Sequence, residues 1–198
     1  MRKKDGFTLA EVLVVMAVLS ILGGLVLNIF SRNLRGTNKS QILISLKENG
    51  QGVLENMTNS IRNADDLVCI SSNPQNTLVV VKNGVYTRFQ LVVQQADANG
   101  FIRQDSPTPA LDGSESDPRV FVNRVCNPSD PMPTAMVLTD DSLQKGVSVV
   151  AGRFELDEEA GFKDSVKITF SLAPPIKTLR AVAGIIDPVT FETTIQLR

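Results

Sequence analysis

The chain has 198 residues, and its 20 Lys and Arg residues nearly balance its 21 Asp and Glu residues, giving a formal net charge of −1. This balance argues against nucleic acid as a main partner. The absence of His removes the commonest general base and the commonest metal ligand. The length accommodates one globular domain together with a membrane helix.

A short basic leader opens the chain, and an almost uninterrupted apolar run follows it as far as Phe30. The leader charges are Arg2, Lys3 and Lys4, which predict by the positive-inside rule that the leader stays in the cytoplasm. Residues 7–30 would form a helix about 36 Å long, which is enough to cross a hydrocarbon core of roughly 30 Å. A secretory signal peptide is the competing interpretation, but it requires a shorter apolar core and a small-residue exit.

One acidic residue, Glu11, lies inside this apolar run. A carboxylate at the centre of a membrane helix costs roughly 2.5–3.5 kcal/mol on insertion scales, so it predicts a function and requires a partner. Cleavage after Gly6 would create a free amino group on Phe7, about 6 Å from Glu11 along a helix. The two charges would pair within one chain or between neighbouring chains, and we expect the pair to favour assembly.

Residues 4–13, with the sequence KDGFTLAEVL, resemble the class III signal of type IV prepilins and type II secretion prepseudopilins. The resemblance implies cleavage between Gly6 and Phe7 by a membrane aspartyl prepilin peptidase and N-methylation of Phe7. It also implies an assembly role for Glu11. The expected partners are therefore the peptidase, the cytoplasmic membrane and other pilin or pseudopilin subunits.

The helix is predicted to continue beyond the membrane as an amphipathic segment over residues 31–64. Its apolar side chains recur at steps of three, four and seven, and they are Leu43, Leu46, Val53, Leu54, Met57 and Ile61. Residues 7–64 would thus form one helix about 85 Å long. Gly23 and Gly24 interrupt its first half and favour either local loosening or close helix packing.

From residue 67 the apolar period changes from that of a helix to that of a strand. Asn83-Gly84 predicts a tight hairpin between two of the strands. The predicted strands are residues 67–71, 77–82, 85–93, 119–125, 135–139, 147–157, 165–172 and 193–197. Residues 94–118 and 127–133 are predicted to be loops. The fold class is therefore α+β, with an antiparallel sheet packed on one long helix.

Residues 54–65 and the closing residues 191–198 resemble the helix end and final strand of PilW-type minor pilins and J-type minor pseudopilins. This second resemblance implies a low-abundance, initiating or tip subunit rather than the main fibre subunit.

Two cysteines, Cys69 and Cys126, are predicted to form one disulfide if this part of the chain is extracytoplasmic. Closing the loop between residues 69 and 126 would stabilise the folded state by about 4 kcal/mol in the chain-entropy account. Two buried, unpaired thiols are the alternative.

No cofactor, metal site or catalytic residue is predicted. A partial calcium-loop pattern begins at Gln95, but Gln95 stands where an Asp is needed and Ser106 stands where a Glu is needed. The acidic clusters elsewhere are predicted to be solvated loops and turns, and no combination of residues typical of an enzyme is present.

The sequence therefore predicts four segments: a leader peptide (1–6), a transmembrane half-helix (7–30), an amphipathic half-helix (31–64) and an extracytoplasmic β-rich domain (65–198). The predicted function is a structural subunit, anchored once in the inner membrane and assembled into a type IV pilus or type II secretion pseudopilus. A tip adhesin or a DNA-uptake binding module of such a filament is the alternative.

Overall fold

A computed structural model of the chain describes residues 8–110, 114–115, 117–144, 146–157, 164–177 and 186–197. Within these residues the fold is α+β, as predicted. Its helices are α1 (Leu9–Arg62) and α2 (Pro118–Val125). Its strands are β1 (Asp66–Ile70), β2 (Thr77–Lys82), β3 (Val85–Val92), β4 (Phe101–Asp105), β5 (Met136–Val137), β6 (Ser148–Asp157), β7 (Ser165–Ala173) and β8 (Val189–Gln196).

Helix α1 has 54 residues and passes through both of the compact units into which the chain divides, Met1–Gln41 and Ile42–Arg198. In the first unit its large apolar side chains are exposed. In the second unit four residues of the predicted apolar stripe are buried in the core, because Leu46, Val53, Met57 and Ile61 are all at most 1% exposed. The other two, Leu43 and Leu54, are partly buried against that core. The amphipathic spacing of these residues thus explains why this part of the helix packs against the strands.

Sheet A contains five antiparallel strands in the order β1-β2-β3-β4-β5. Its β2–β3 hairpin turns at Asn83 and Gly84, which both have positive φ angles, 49° and 76°. This is the conformation that an Asn-Gly pair favours in a two-residue hairpin. The Asn83 N–H also donates to a carboxylate oxygen of Asp65 at 2.6 Å, which ties the turn to the segment that follows α1.

Sheet B contains three antiparallel strands in the order β6-β7-β8. Strand β6 is also joined to sheet A and its loops by backbone hydrogen bonds. The Val149 N–H donates to the Gly100 carbonyl, the Gln94 N–H donates to the Val149 carbonyl, and the Phe154 N–H donates to the Gln75 carbonyl. These bonds place the edge of β6 that does not pair with β7 against sheet A.

The main core lies between the second part of α1 and the apolar faces of the two sheets. Phe89 and Leu91 contribute to it from sheet A, and Phe154, Ile168 and Phe170 from sheet B; each of the five is fully buried. The Phe170 and Phe191 rings stack with their centroids 5.3 Å apart.

Two predictions about secondary structure are wrong. Residues 119–125 were expected to form a strand, but they lie in helix α2. Asp117 caps that helix through the Arg119 N–H at 2.9 Å, and proline occupies its first position, a combination that favours a helix start. Within residues 94–118, expected to be a loop, residues 101–105 form strand β4, which pairs with β3.

Candidate functional site

The first turn of α1 holds Glu11 in a reciprocal set of hydrogen bonds with Thr8. The backbone N–H and the hydroxyl of Thr8 both donate to the Glu11 Oε2 atom at 3.1 Å. In return the Glu11 N–H donates to the Thr8 hydroxyl oxygen at 3.3 Å. This is a capping box, and it places the carboxylate at the helix terminus where the backbone dipole favours negative charge.

Sequence reasoning considered Glu11 only as an acid that requires a positive partner, and it missed the role of Thr8. The pattern Thr8-Leu9-Ala10-Glu11 ahead of an apolar run is the signal that would have indicated the cap. The cap matters chemically because it satisfies part of the hydrogen-bonding capacity of the carboxylate within its own chain. Glu11 is nevertheless exposed, so it remains accessible to a second partner.

The other predicted residues of this site lie outside the described residues. They are the leader charges Arg2, Lys3 and Lys4 and the cleavage pair Gly6 and Phe7. The pairing of Glu11 with the amino group of Phe7 therefore stays a prediction, as do cleavage and N-methylation.

Beyond this first turn, α1 presents an apolar surface on all sides. Its large apolar side chains from Leu9 to Leu34 are 48–79% exposed. Its most apolar 18-residue window has a mean hydropathy of 2.6, and none of that window is buried. The helix is therefore long and apolar enough to cross a membrane.

Two serine hydroxyls within the apolar part of α1 are bonded to the helix itself. The Ser20 hydroxyl donates to the Met16 carbonyl, and the Ser31 hydroxyl donates to the Leu27 carbonyl, both at 2.8 Å. Such bonds to the preceding turn reduce the cost of placing a hydroxyl in an apolar medium. Gly23 and Gly24 lie within the continuous helix, and a Cβ at either position would meet nothing within 4 Å.

A second candidate site lies on the face of sheet A that faces away from the main core, where α2 packs. Phe121 and Val125 of α2 are buried there against Val79, and the Tyr86 and Phe121 rings meet edge to face with centroids 4.8 Å apart. Directly after the helix, Cys126 forms a disulfide with Cys69 of β1. The disulfide therefore joins β1 to the end of a helix, and not to the end of a strand as was expected.

Arg88 of β3 is the centre of the charges that hold this region, and it is only 2% exposed. Its guanidinium binds Asp105 through two hydrogen bonds of 2.9 and 2.6 Å, and it binds Asp130 at 2.6 Å. Burial alone would lower the pKa of Arg88. The hydrogen bonds and charges of the two carboxylates outweigh burial, so this pKa lies above its ordinary value.

Arg124 of α2 extends this network toward the preceding loop. It forms ion pairs with Glu115 and, at 3.3 Å, with Asp130, and it donates to the Thr108 carbonyl at 3.1 Å. The side-chain hydrogen bond with Glu115 is the main cause that raises the pKa of Arg124. We refer below to Arg88, Asp105, Glu115, Arg124 and Asp130 together as the α2 ion cluster.

The chemistry of the α2 ion cluster is structural, because each of its three carboxylates is bound to an arginine. The arginine guanidinium does not lose a proton at neutral pH, so these ion pairs cannot act as a general acid and base. Among the described residues, no group of three or more His, Cys, Asp and Glu side chains is arranged to hold a metal ion.

The partial calcium-loop pattern uses its polar atoms for other contacts. The Asn99 amide donates to the carbonyls of Asp141 and Ser142 at 3.1 and 3.0 Å and accepts from the Ile176 N–H at 2.9 Å. Asn99 therefore connects three loops at the end of the domain.

Comparison with known proteins gives one match, which is confined to the start of the chain. Residues 1–27 match the family model of the prokaryotic N-terminal methylation motif. No curated protein and no solved structure shows significant similarity to the chain. The match confirms the class III signal that the sequence indicated, and it covers the leader, the cleavage pair, Glu11 and most of the apolar run.

Proposed function

We propose that this chain, which carries the N-terminal methylation motif of type IV pilins and pseudopilins, is a structural subunit of a filament built on the inner membrane. The motif supports a prepilin-type substrate of prepilin peptidase, which assembles with other pilins, and it indicates a structural subunit rather than an enzyme. An apolar N-terminal helix that follows such a signal fits anchoring in the inner membrane.

The observation that carries the proposal is the combination of the motif with an exposed apolar helix headed by Glu11. A helix with apolar side chains on all sides requires either lipid or other apolar helices around it. Membrane storage and filament assembly provide these two environments in turn. During filament assembly Glu11 would determine where neighbouring subunits meet, because an acid in an apolar core is stabilised only where a positively charged partner contacts it.

In the proposed sequence of events, the peptidase removes residues 1–6 and leaves a methylated amino group on Phe7. Residues 7–30 then hold the subunit in the membrane, with the domain of residues 65–198 outside. During assembly Glu11 pairs with the amino group of Phe7, within the chain or on a neighbouring subunit. This pairing neutralises two charges in an apolar core and sets the position of each subunit along the filament axis.

We further propose that the chain is a minor subunit of a type IV pilus or a type II secretion pseudopilus. The support is the resemblance of residues 54–65 and 191–198 to minor pilins and minor pseudopilins. A binding module at the filament tip, such as an adhesin, is the second candidate. The α2 ion cluster and the disulfide favour it, because they hold α2 in place on sheet A, with most of its side chains exposed or half-buried.

The proposal is tested by analysing the mature protein in its own cells. Mass spectrometry of the membrane and sheared-filament fractions should find an N-terminus at methylated Phe7, and both signals should disappear when the prepilin peptidase gene is deleted. A Gly6→Val variant should retain the leader and be lost from filaments. Filament-associated protein that still begins at Met1 would contradict the proposal.

A further inference from the structure

In the part of the chain that the structure describes, strand β8 is an edge strand of sheet B. On one side it pairs with β7 over its full length, from Val189 to Gln196. The opposite edge of the sheet, on β6, is covered by the backbone hydrogen bonds to sheet A and its loops. Among the described residues, no strand pairs with the outer side of β8.

This edge lacks the features that normally prevent strands from pairing with other chains. Edges are usually shortened, bulged or charged, or they carry proline. The edges of sheet A follow that rule, because β5 has only two residues and β1 carries Asp66 and a register irregularity. Strand β8 is eight residues long and regular, without Pro, Gly or Lys, and its one charged side chain, Glu192, is bound to Lys167 at 2.8 Å.

The backbone pattern shows which groups β8 offers at its outer side. Leu197 donates to the carbonyl of Asp164, which stands directly opposite it in the register. In an antiparallel pair such bonded positions alternate with positions whose N–H and C=O groups point away. The odd-numbered residues of β8 therefore bond to β7. The even-numbered residues direct their backbone groups outward, and they are Thr190, Glu192, Thr194 and Gln196.

The strand is also held firmly from its inner face. Ile195 is 2% exposed, and the Phe191 ring stacks on Phe170. The same ring occupies the space beside Gly50 of α1, where a Cβ would lie 2.1 Å from its Cζ atom. A pre-ordered edge loses little conformational freedom when another strand joins it.

We propose that the outer edge of β8 is a strand-addition site for an extended segment of a different extracytoplasmic polypeptide within the same filament. The inference rests on the proposed function, since it takes the domain to lie outside the membrane. Main-chain hydrogen bonds to the even-numbered residues would provide the affinity, as in other cases of β-strand addition. Apolar residues on the inner side of the added strand would extend the face formed by Phe191 and Ile195.

A second copy of this chain does not fit the edge. Antiparallel pairing of two β8 strands in one sheet places a two-fold axis perpendicular to the sheet. The two segments of α1 that lie along the sheets, residues 42–62, would then run in opposite directions. Successive subunits of one filament share a single direction, which this two-fold pairing does not allow. Parallel pairing would instead turn one sheet over and join its apolar face to the polar face of the other.

Backbone hydrogen exchange of the full-length chain tests the proposal at single residues. The comparison is between the detergent-solubilised subunit and the same chain in sheared filaments. In the free subunit the odd-numbered amides of β8 should be protected and the even-numbered amides should exchange quickly. In filaments the even-numbered amides should slow by about tenfold or more. Even-numbered amides that are fast in filaments, or already slow in the free subunit, would overturn the proposal.

Two variants extend the test to assembly. Thr194→Pro removes an outward N–H and should lower the amount of chain in filaments severalfold. Thr194→Val retains the N–H and should assemble normally. Formation of the Cys69–Cys126 disulfide in Thr194→Pro reports that the domain still folds. Normal assembly of a folded Thr194→Pro variant would refute strand addition.

Three further outcomes separate the possible errors. If two differently tagged copies cross-link through cysteines placed at position 194, the partner is a second copy and the assignment is wrong. If the wild-type chain never enters filaments, the proposed function fails. If the chain enters filaments with fast even-numbered amides in β8, only the strand-addition site fails.

Discussion

At the scale of single residues, the charges in costly positions are each met by a nearby group. Glu11 lies in an apolar run and is bound by Thr8. Arg88 lies within the folded domain and is bound by two carboxylates. Surface pairs such as Arg153 with Glu155, at 3.0 Å, contribute far less, because water screens them. The effect of a substitution should therefore depend on burial and not on the number of ion pairs.

Replacing Glu11 with Ala should separate membrane insertion from assembly. Insertion should be unchanged or easier, because a costly group leaves the apolar run. Cleavage should persist because Gly6 and the leader are intact, whereas assembly should fall because the Phe7 amino group loses its partner. The measurement is the amount of chain in membranes and in sheared filaments. Glu55→Ala, which removes an exposed acid from the same helix, should leave both amounts unchanged, and normal assembly of Glu11→Ala would contradict the proposed role.

Replacing Arg88 with Met should destabilise the domain strongly. The change leaves Asp105 and Asp130 buried without their main partner, and breaking a buried pair in this way typically costs about 3–5 kcal/mol. Urea unfolding of the full chain in detergent measures the loss. Arg153→Met is the matched control, because Arg153 is 58% exposed, and its effect should be within about 0.5 kcal/mol. Equal effects of the two substitutions would show that the α2 ion cluster does not stabilise the domain.

At the scale of elements, α1 must pack closely against the strands in its second half. Gly50 is buried, and the ring of Phe191 occupies the space in which a side chain at position 50 would lie. Gly52, two residues later, is exposed, and a Cβ there would meet nothing within 4 Å. Of these two helical glycines, only Gly50 has a packing role.

The two glycines therefore predict opposite effects of alanine. Gly50→Ala should destabilise the domain by about 1–3 kcal/mol, because the new methyl group displaces Phe191 from its stack on Phe170. Gly52→Ala should stabilise it by roughly 0.5–1 kcal/mol, because alanine favours the helix. Thermal unfolding of both variants measures the difference. A stabilising Gly50→Ala would show that Phe191 has room to move.

The elements that the sequence predicted correctly are those with strong local signals. The stripe from Leu46 to Ile61 and the Asn83-Gly84 turn each specify their own structure. Helix α2 was mistaken for a strand because Val120, Phe121 and Val122 are β-branched and aromatic residues, which strands favour. Asp117 and Pro118 form a local helix-start signal that was overlooked. The helix also depends on burial of Phe121 and Val125 against sheet A. Such tertiary contacts, like the buried ion pairs of Arg88, leave no local pattern in the sequence.

At the scale of the whole molecule, the described core is formed within one of the two compact units. Every buried apolar residue of the main core lies between Leu46 and Leu197. The α2 side, with its disulfide and ion cluster, belongs to the same unit. Folding of the domain therefore does not require the exposed apolar part of α1.

A chain that begins at Ile42 should therefore fold in aqueous buffer without detergent. It should form the Cys69–Cys126 disulfide, which non-reducing peptide mapping detects, and show a cooperative thermal transition. The full-length chain should need detergent, because its apolar helix surface is exposed. Aggregation of the shorter chain, or two free thiols in it, would show that residues before Ile42 contribute to folding.

The disulfide itself should make a large contribution to that transition. Replacing both cysteines with Ala removes a cross-link between residues 57 positions apart, which the chain-entropy account values at about 4 kcal/mol. The loss should appear as a lower unfolding midpoint in urea. The wild-type chain under reducing conditions should show a similar midpoint, and an unchanged midpoint would contradict the prediction.

The contact between Phe191 and Gly50 also has a mechanical consequence. A filament that is pushed or pulled loads its subunits along their helices, and α1 supplies both the apolar surface and one side of the domain core. Force carried by residues 42–62 of α1 would act on the core as shear between the helix and the sheets. The ring of Phe191 occupies the gap at Gly50, and the positions one turn away on the same face of the helix, Leu46 and Leu54, carry side chains. Axial sliding of the helix would push a side chain against that ring. The contact between Phe191 and Gly50 should therefore resist sliding of the helix under load.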